Sequence, residues 1–149
     1  MDYKVLLFSY DGRINRAKYW LAFGLWLAAG LAVVVITFLL GILFGQWVSV
    51  IILCLMLILG LLGIMSGIAV GLKRLHDRDK SGWWLLLFYL GPAVLDAMGQ
   101  LAGGGGVIFR LAASAVSIWG LIELGCLPGT AGPNRYGPDP LGDAATQPA

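Results

Sequence analysis

Long apolar stretches alternate with short polar segments along the whole chain. The longest stretch without any Asp, Glu, Lys or Arg extends from Tyr19 to Leu72. About 20 apolar residues in a helix cross a hydrocarbon core of about 30 Å, so stretches of this kind predict spanning helices. A water-soluble fold of this size cannot bury so much continuous apolar chain. We therefore predict an all-α membrane protein with four transmembrane helices, at about 19–44, 48–72, 83–101 and 107–127.

Polar and helix-breaking residues mark the ends of these helices. Asn15 precedes the first helix and is a typical N-cap residue. The hydrophilic decapeptide Lys73–Gly82 separates the second helix from the third, and the four glycines Gly103–Gly106 form the next turn. We divide the chain into an N-terminal segment 1–18, a four-helix transmembrane domain 19–127 and a Pro/Gly-rich tail 128–149, which we expect to be extended or disordered past Leu141.

The charges support this interpretation and predict an orientation. Only 12% of the 149 residues are charged, whereas about a quarter are charged in a soluble domain. Basic residues cluster in the N-terminal segment and the decapeptide, while the connections 45–47 and 103–106 hold none. By the positive-inside rule both termini and the decapeptide face the cytoplasm. The net charge of +2 and the placement of the basic residues beside apolar segments do not suggest binding to nucleic acid.

Three polar stretches carry a family resemblance. Residues 12–20 read GRINRAKYW, residues 74–84 contain RLHD and SGWW, and residues 126–140 read CLPGTAGPNRYGPDP. In this order and around this hydropathy, they resemble domain-of-unknown-function family 805, the YhaH-like bacterial inner-membrane proteins. The resemblance implies a multi-pass protein of the bacterial plasma (inner) membrane and implies no chemistry. Lys18 departs from the family, which often has Glu there, and leaves only half of a capping box with Asn15.

The basic and polar residues of these stretches are candidates for a binding site. They could serve only as orientation signals that touch anionic headgroups. They could also form a pocket for a phosphate or another anionic partner, because the planar fork of Arg donates two parallel hydrogen bonds. The tail would be a rigid turn that docks on the chain's own loop or on a partner protein. The candidate residues are Arg13, Arg16, Lys18, Arg74, His76, Asp77, Arg78, Lys80, Asn134, Arg135 and Tyr136.

The adjacent pair His76 and Asp77 suggests catalysis or metal binding, because a carboxylate often orients a histidine in such sites. The chain has no second histidine, and its two cysteines lack metal-ligand spacing. A zinc site needs at least three protein ligands. We therefore predict no catalytic residue, no metal and no cofactor. We favour a structural interpretation of His76 and Asp77, with Asp77 capping a helix or in a salt bridge to Arg74 or Arg78.

Three ionisable residues lie inside the predicted helices: Asp96, Arg110 and Glu123. An unpaired charge near the bilayer centre costs at least about 2.5–3.5 kcal/mol. Asp96 and Arg110 flank the four-glycine turn at similar depth, which predicts an ion pair between them. The pair would either hold the third and fourth helices together or form one polar site in a pathway for protons or small ions. Glu123 is expected to meet Arg74, Lys73 or Arg16.

The second helix carries a regular glycine row for helix packing. Gly63, Gly67 and Gly71 recur every four residues, and such small residues let two helix backbones approach closely. The partner would be the first helix, through Gly24 and Ala28, or a second copy in a homo-oligomer.

Three classes of function follow from these residues. The leading hypothesis is a non-enzymatic scaffold or accessory protein that binds anionic lipid headgroups, or a membrane or cytoplasmic partner protein, at its cytoplasmic face. The second is a small transporter or channel that uses Asp96 and Arg110. The third is a membrane enzyme that acts on a lipid phosphate through His76, Asp77 and Arg74.

Overall fold

The computed structural model describes residues 2–45 and 49–142, and these residues form helices and turns without a strand. Four helical stretches are long and apolar enough to cross a membrane, which confirms the predicted all-α class. The predicted helix start at residue 48, the connection through residues 46–47 and the tail residues 143–149 lie outside the described residues. The helices are α1 Tyr3–Phe8, α2 Arg16–Phe44, α3 Ser49–Asp77, α4 Trp84–Leu101 and α5 Gly106–Leu121, with a 3-10 turn Gly103–Gly105 before α5 and a π-helical turn Ile122–Cys126 after it.

Two helices extend beyond their predicted boundaries by three residues or more. Helix α2 begins at Arg16, because the side chain of Asn15 accepts a hydrogen bond from the Lys18 N–H at 2.9 Å and caps it. Helix α3 continues to Asp77, so the first half of the predicted decapeptide loop is helical. The short helix α1 was not predicted, and it is capped by the Asp2 carboxylate.

Helices α4 and α5 form an antiparallel hairpin with a close approach near its turn. A methyl group on Gly106 would overlap the carbonyl oxygen of Gly99, so the two backbones touch there. Farther along the hairpin, the Phe88 ring lies against Gly120. Gly106 and Gly99 thus let the two backbones meet directly, and Gly120 makes room for the Phe88 ring.

Helix α3 is the central element and contacts α1, α2, α4 and the π-helical turn. The buried side chains gather near its C-terminal end. One cluster joins α3 to α4 through Leu75 and Phe88, and another joins α1 to α3 through Leu6 and Val70. The most apolar 18-residue stretch of α2, in contrast, has no buried residue. The bundle is therefore packed tightly at one end, and its apolar outer surface is suited to contact lipid.

Two glycines of the α3 row lie against aromatic or leucine side chains, whereas a Cβ on Gly67 would meet nothing within 4 Å. A Cβ on Gly63 would lie 3.6 Å from the Trp26 ring, and one on Gly71 would meet Leu85. The Trp26 Nε1 donates to the Ser66 Oγ at 2.8 Å, which fixes the indole against α3. A Cβ on Gly24 would meet nothing within 4 Å, so the expected contact of Gly24 with the glycine row is not formed.

Candidate functional site: the polar cap

The N-terminal segment, the end of α3 with its following loop, and the tail meet at one end of the bundle. We call this assembly the polar cap and define it as residues 2–18, 73–82 and 122–142. Its contacts join residues that are far apart in the sequence, such as Arg13 with Thr130 and Asn134 with His76. All three stretches that carried the family resemblance therefore lie on the same side of the bundle.

The carboxylate of Asp77 lies at the centre of the polar cap. Its side chain is 3% exposed, and its Oδ1 lies 3.2 Å from Arg13 Nη2 while its Oδ2 lies 2.5 Å from Arg74 Nη1. Its backbone carbonyl accepts hydrogen bonds from the N–H and the hydroxyl of Thr130 at 2.8 and 3.0 Å. Charged groups tolerate burial only when they are paired and hydrogen-bonded. Asp77 thus links the N-terminal segment, α3 and the tail.

Gly129 lies directly against this carboxylate. A methyl group at this position would overlap the Asp77 side chain. Gly129 belongs to the start of the predicted Pro/Gly-rich tail, and the structure gives this glycine a specific role. It lets the tail backbone pass close enough to place the Thr130 N–H on the Asp77 carbonyl.

Arg13 holds the tail through its backbone carbonyls. Its guanidinium donates to the carbonyl oxygens of Thr130 at 2.6 Å, Gly132 at 2.8 Å and Gly137 at 3.2 Å. Gly132 and Gly137 have positive φ angles of 74° and 136°, a region that glycine adopts without steric cost. The arginine of the first motif therefore binds the turn that the third motif forms.

Arg74 and Lys73 satisfy carbonyl groups at helix ends. The fully buried Arg74 donates from Nε to the Leu124 carbonyl at 2.7 Å and also reaches the Leu127 carbonyl. Lys73 Nζ donates to the carbonyls of Val5 and Leu6 at 2.7 and 2.6 Å. The last carbonyls of a helix lack an intrahelical donor, and the two buried cations supply one to Leu6 and to Leu124.

Glu123 pairs with the loop and not with the residues that the sequence predicted. Its Oε1 lies 2.5 Å from Arg78 Nε and 2.7 Å from Lys80 Nζ. The expected partners, among them Arg74 and Lys73, are bonded elsewhere because α3 stays helical to Asp77 and directs them to other helix ends. The prediction for Glu123 was therefore wrong in its partners.

His76 is held by stacking and by the backbone. Its ring is stacked on Tyr136, with centroids 3.9 Å apart, and its Nδ1 lies 3.3 Å from the Gly12 carbonyl oxygen. The Asn134 side chain donates to the His76 carbonyl at 2.8 Å. Within residues 2–45 and 49–142, His76 makes no hydrogen bond to the Asp77 carboxylate, and no group of three acidic, His or Cys side chains is placed to hold a metal ion.

Further contacts fix the outer part of the tail. Arg135 Nε lies 3.1 Å from Asp79 Oδ1 in an exposed ion pair. The Asp139 carboxylate accepts from the N–H groups of Leu141 and Gly132 at 2.9 and 2.8 Å. These two donors hold the pKa of the Asp139 carboxyl below its ordinary value. The tail thus docks on the chain's own loop, one of the two alternatives that the sequence left open.

Among the predicted binding residues, two basic side chains have no partner in the described part of the chain. Arg16 is exposed and Lys18 is half-buried, and neither side chain makes an ion pair or a hydrogen bond there. The other basic residues of the set are engaged with acidic side chains or backbone carbonyls. The structure therefore leaves Arg16 and Lys18 available to an external anion.

The structure does not form the predicted ion pair between Asp96 and Arg110. Both residues are exposed, and no salt bridge of the described residues joins them. The hairpin is held instead at Gly99 and Gly106, and the aliphatic stem of Arg110 lies beside Gly99. The contact between the backbones leaves both charged groups at the surface of the bundle.

Sequence reasoning missed Thr130 and Lys73 as structural members of the polar cap. Thr130 lies inside the third motif, but only Asn134, Arg135 and Tyr136 of that motif were predicted as binding residues. Lys73, which follows the apolar run directly, was expected to orient the chain or to be one of the partners of Glu123. Only its burial, at 2% exposure, reveals a different role.

Comparison with known proteins places these motifs in a family. A family model described as "Protein of unknown function (DUF805)" matches residues 7–138. The uncharacterized protein YiiR of Escherichia coli (strain K12) is 34% identical over 140 residues, covering 89% of this chain and 86% of YiiR. The inner membrane protein YhaH of the same strain is 31% identical and covers 89% of this chain and 87% of YhaH. The inner membrane protein YhaI is 29% identical, with 89% and 86% covered. No solved structure matches the chain.

Proposed function

We propose that this chain, which belongs to the DUF805 family, is a non-enzymatic scaffold or accessory protein of the bacterial inner membrane. In this proposal the polar cap faces the cytoplasm and contacts anionic lipid headgroups. The observation that carries it is the internal pairing of the polar cap, which leaves Arg16 and Lys18, in the first turn of the first spanning helix, without a partner among the described residues.

The internal pairing argues for a structural and binding role. Catalysis needs a nucleophile, base or metal that is accessible to a substrate. In the polar cap Asp77, Arg74 and Arg13 are buried and bonded to each other or to carbonyl groups. Two of the three residues named for a lipid-phosphate enzyme, Arg74 and Asp77, are occupied in this way, and this supports a structural role for the polar cap.

The surroundings of the free cations favour lipid over protein. Lys4 lies exposed on α1, between the exposed apolar side chains of Tyr3 and Val5. Trp20 follows Arg16 by about one helical turn and is also partly exposed. Aromatic and basic side chains together are typical of the membrane interface. A basic residue near an anionic leaflet contributes about 1 kcal/mol.

The lipid contact can be tested with the protein in polymer-bounded native nanodiscs. Wild type is expected to enrich anionic over zwitterionic phospholipid, and the double variant Arg16→Ala/Lys18→Ala is expected to lose that enrichment. Arg110→Ala is the matched control, because it removes an exposed arginine outside the polar cap. Equal lipid composition around all three proteins would contradict the proposal.

A photo-reactive amino acid in place of Arg16 or of Tyr136, used in living cells, distinguishes a lipid partner from a protein partner. Lipid crosslinks from the Arg16 position support headgroup binding. A specific protein crosslink from either position, without lipid crosslinks, would show that the polar cap serves a protein partner instead.

The orientation has its own test. After replacement of Cys54 and Cys126 by serine, a single cysteine is introduced either at Gly104 or at Ala131. A membrane-impermeant maleimide added to intact spheroplasts is expected to label the Gly104→Cys protein and not the Ala131→Cys protein, because the positive-inside rule places the basic segments in the cytoplasm. Labelling of Ala131→Cys alone would contradict the proposed orientation, because it would show that the polar cap faces the outside of the spheroplast.

A further inference from the structure

An apolar groove separates α3 from α4 below the polar cap. It has a volume of about 870 Å³ and is lined almost entirely by apolar atoms. Gly60 and Gly67 of α3 form its floor, and a Cβ on either glycine would meet nothing within 4 Å. Leu86 and Leu90 of α4 line the opposite wall. The Tyr89 hydroxyl crosses from α4 to the Gly67 carbonyl at 3.2 Å, and the groove is the space that remains between the two helices beside it.

The groove is closed at the polar cap and open towards the sides. At the closed end, Gly82 lies against Leu72, and Gly71 lies against Leu85. The exposed Trp83 ring stands at the same end, where a tryptophan marks the membrane interface. A ligand would have to enter from the bilayer, between the two helices.

The depth of the groove corresponds to one leaflet. The lining of α3 extends from Leu72 to Gly60, which at about 1.5 Å per residue is roughly 18 Å along the helix. Half of a hydrocarbon core of about 30 Å is about 15 Å. A molecule that fills the groove from the interface downwards would therefore be about as long as the chains of one leaflet.

The occupant has to be apolar, because almost all of the groove lining is apolar. An empty groove would lose dispersion contacts along both walls. The volume of 870 Å³ lies in the range of small-molecule pockets, about 300–1,000 Å³. A lipid chain is an apolar molecule of that size class, and the bilayer supplies it.

We infer that the groove between α3 and α4 is a binding site for an acyl chain of a phospholipid from the leaflet next to the polar cap. The chain lies over the glycine floor of α3, and the headgroup stays at the level of Trp83. This site is independent of the proposed headgroup contact, because Arg16 and Lys18 do not line the groove.

The inference is tested by native mass spectrometry of the purified full-length protein after mild delipidation. Wild type is expected to keep one phospholipid per chain, and Gly67→Leu is expected to lose it, because the new side chain fills the groove. Gly24→Leu is the matched control, since Gly24 is an exposed helical glycine outside the groove with nothing within 4 Å of its Cβ position. It should keep the lipid as wild type does.

If the thermal midpoint of Gly67→Leu shows that this variant does not fold, Leu86→Trp takes its place in the experiment, because the tryptophan fills the same groove from α4. Wild type without retained phospholipid would overturn the inference, and so would folded groove variants that keep as much lipid as wild type. A wild-type dimer that Gly67→Leu converts to a monomer would also overturn it, because a second copy would then fill the groove. Loss of lipid in Gly67→Leu with unchanged anionic enrichment would support the groove independently of Arg16 and Lys18.

Discussion

At the scale of single residues, Asp77 and Asp79 lie two positions apart but in very different surroundings. The Asp77 carboxylate is buried between Arg13 and Arg74, while Asp79 and its partner Arg135 are 47% and 59% exposed. Breaking a buried pair leaves an uncompensated charge, whereas an exposed pair is screened by water. Burial therefore determines which of the two acidic residues stabilises the fold.

We expect Asp77→Asn to lower the free energy of unfolding by about 3–5 kcal/mol, because two buried arginines lose their anionic partner. Asp79→Asn should lower it by less than about 1 kcal/mol. Denaturant unfolding in detergent, followed by circular dichroism, measures both variants. Equal losses would show that Asp77 does not hold the polar cap together.

Part of the Asp77 environment could be predicted from the sequence. A salt bridge of Asp77 to Arg74 was among the alternatives, although both residues were assigned to a loop. The structure extends α3 to Asp77, and the spacing of three residues then brings the two side chains to one face. Arg13 is 64 residues away along the chain, and no local spacing predicts that contact. Nor does any local pattern predict that Arg78 and Lys80 meet Glu123, since their geometry depends on where α3 ends.

At the scale of elements, the four glycines before α5 look alike in sequence but differ in structure. Gly103 has a positive φ of 56°, and a Cβ on Gly104 would meet nothing within 4 Å. Gly106 begins α5 and touches the Gly99 backbone. Only the last of these glycines is required by helix packing.

We expect Gly106→Ala to destabilise the α4–α5 hairpin by about 1–3 kcal/mol, because the added methyl group has to push two backbones apart. Gly104→Ala should stay within about 0.5 kcal/mol of wild type, as a substitution at an open surface position does. Thermal unfolding of both variants in the same detergent decides this prediction. A Gly104→Ala protein as unstable as Gly106→Ala would contradict the assigned helix contact.

The helix count could be predicted from hydropathy, but the helix ends could not. The apolar run of α3 stops at Leu72, so the charged residues after it were assigned to a loop. The helix continues to Asp77 because Lys73, Arg74 and Asp77 find partners in the polar cap. The expected Asp96–Arg110 pair was predicted from the similar depth of the two residues in the membrane. Depth alone does not determine the rotation of a helix about its axis, so it could not predict whether the two side chains meet.

At the scale of the whole molecule, packing is concentrated at one end. The polar cap joins three distant segments, while the spanning parts of α2 and α3 have few buried residues. The three motifs of the family resemblance are thus parts of one assembly. The basic residues at the ends of four predicted spans indicated a shared side of the membrane, but the way that Arg13 and Asp77 bind the tail could be seen only in three dimensions.

Hydrogen exchange with mass spectrometry tests this assembly most directly, in the full chain reconstituted in nanodiscs. The Thr130 N–H donates to the Asp77 carbonyl, and Asn134 and Gly137 bond to each other. These tail amides should therefore exchange slowly in wild type. In Arg13→Ala they should exchange at least about tenfold faster, while Arg16→Ala, which removes an exposed arginine close by, should leave them unchanged. A tail that exchanges as fast as a free peptide in wild type, or one that Arg13→Ala does not affect, would contradict an interlocked polar cap.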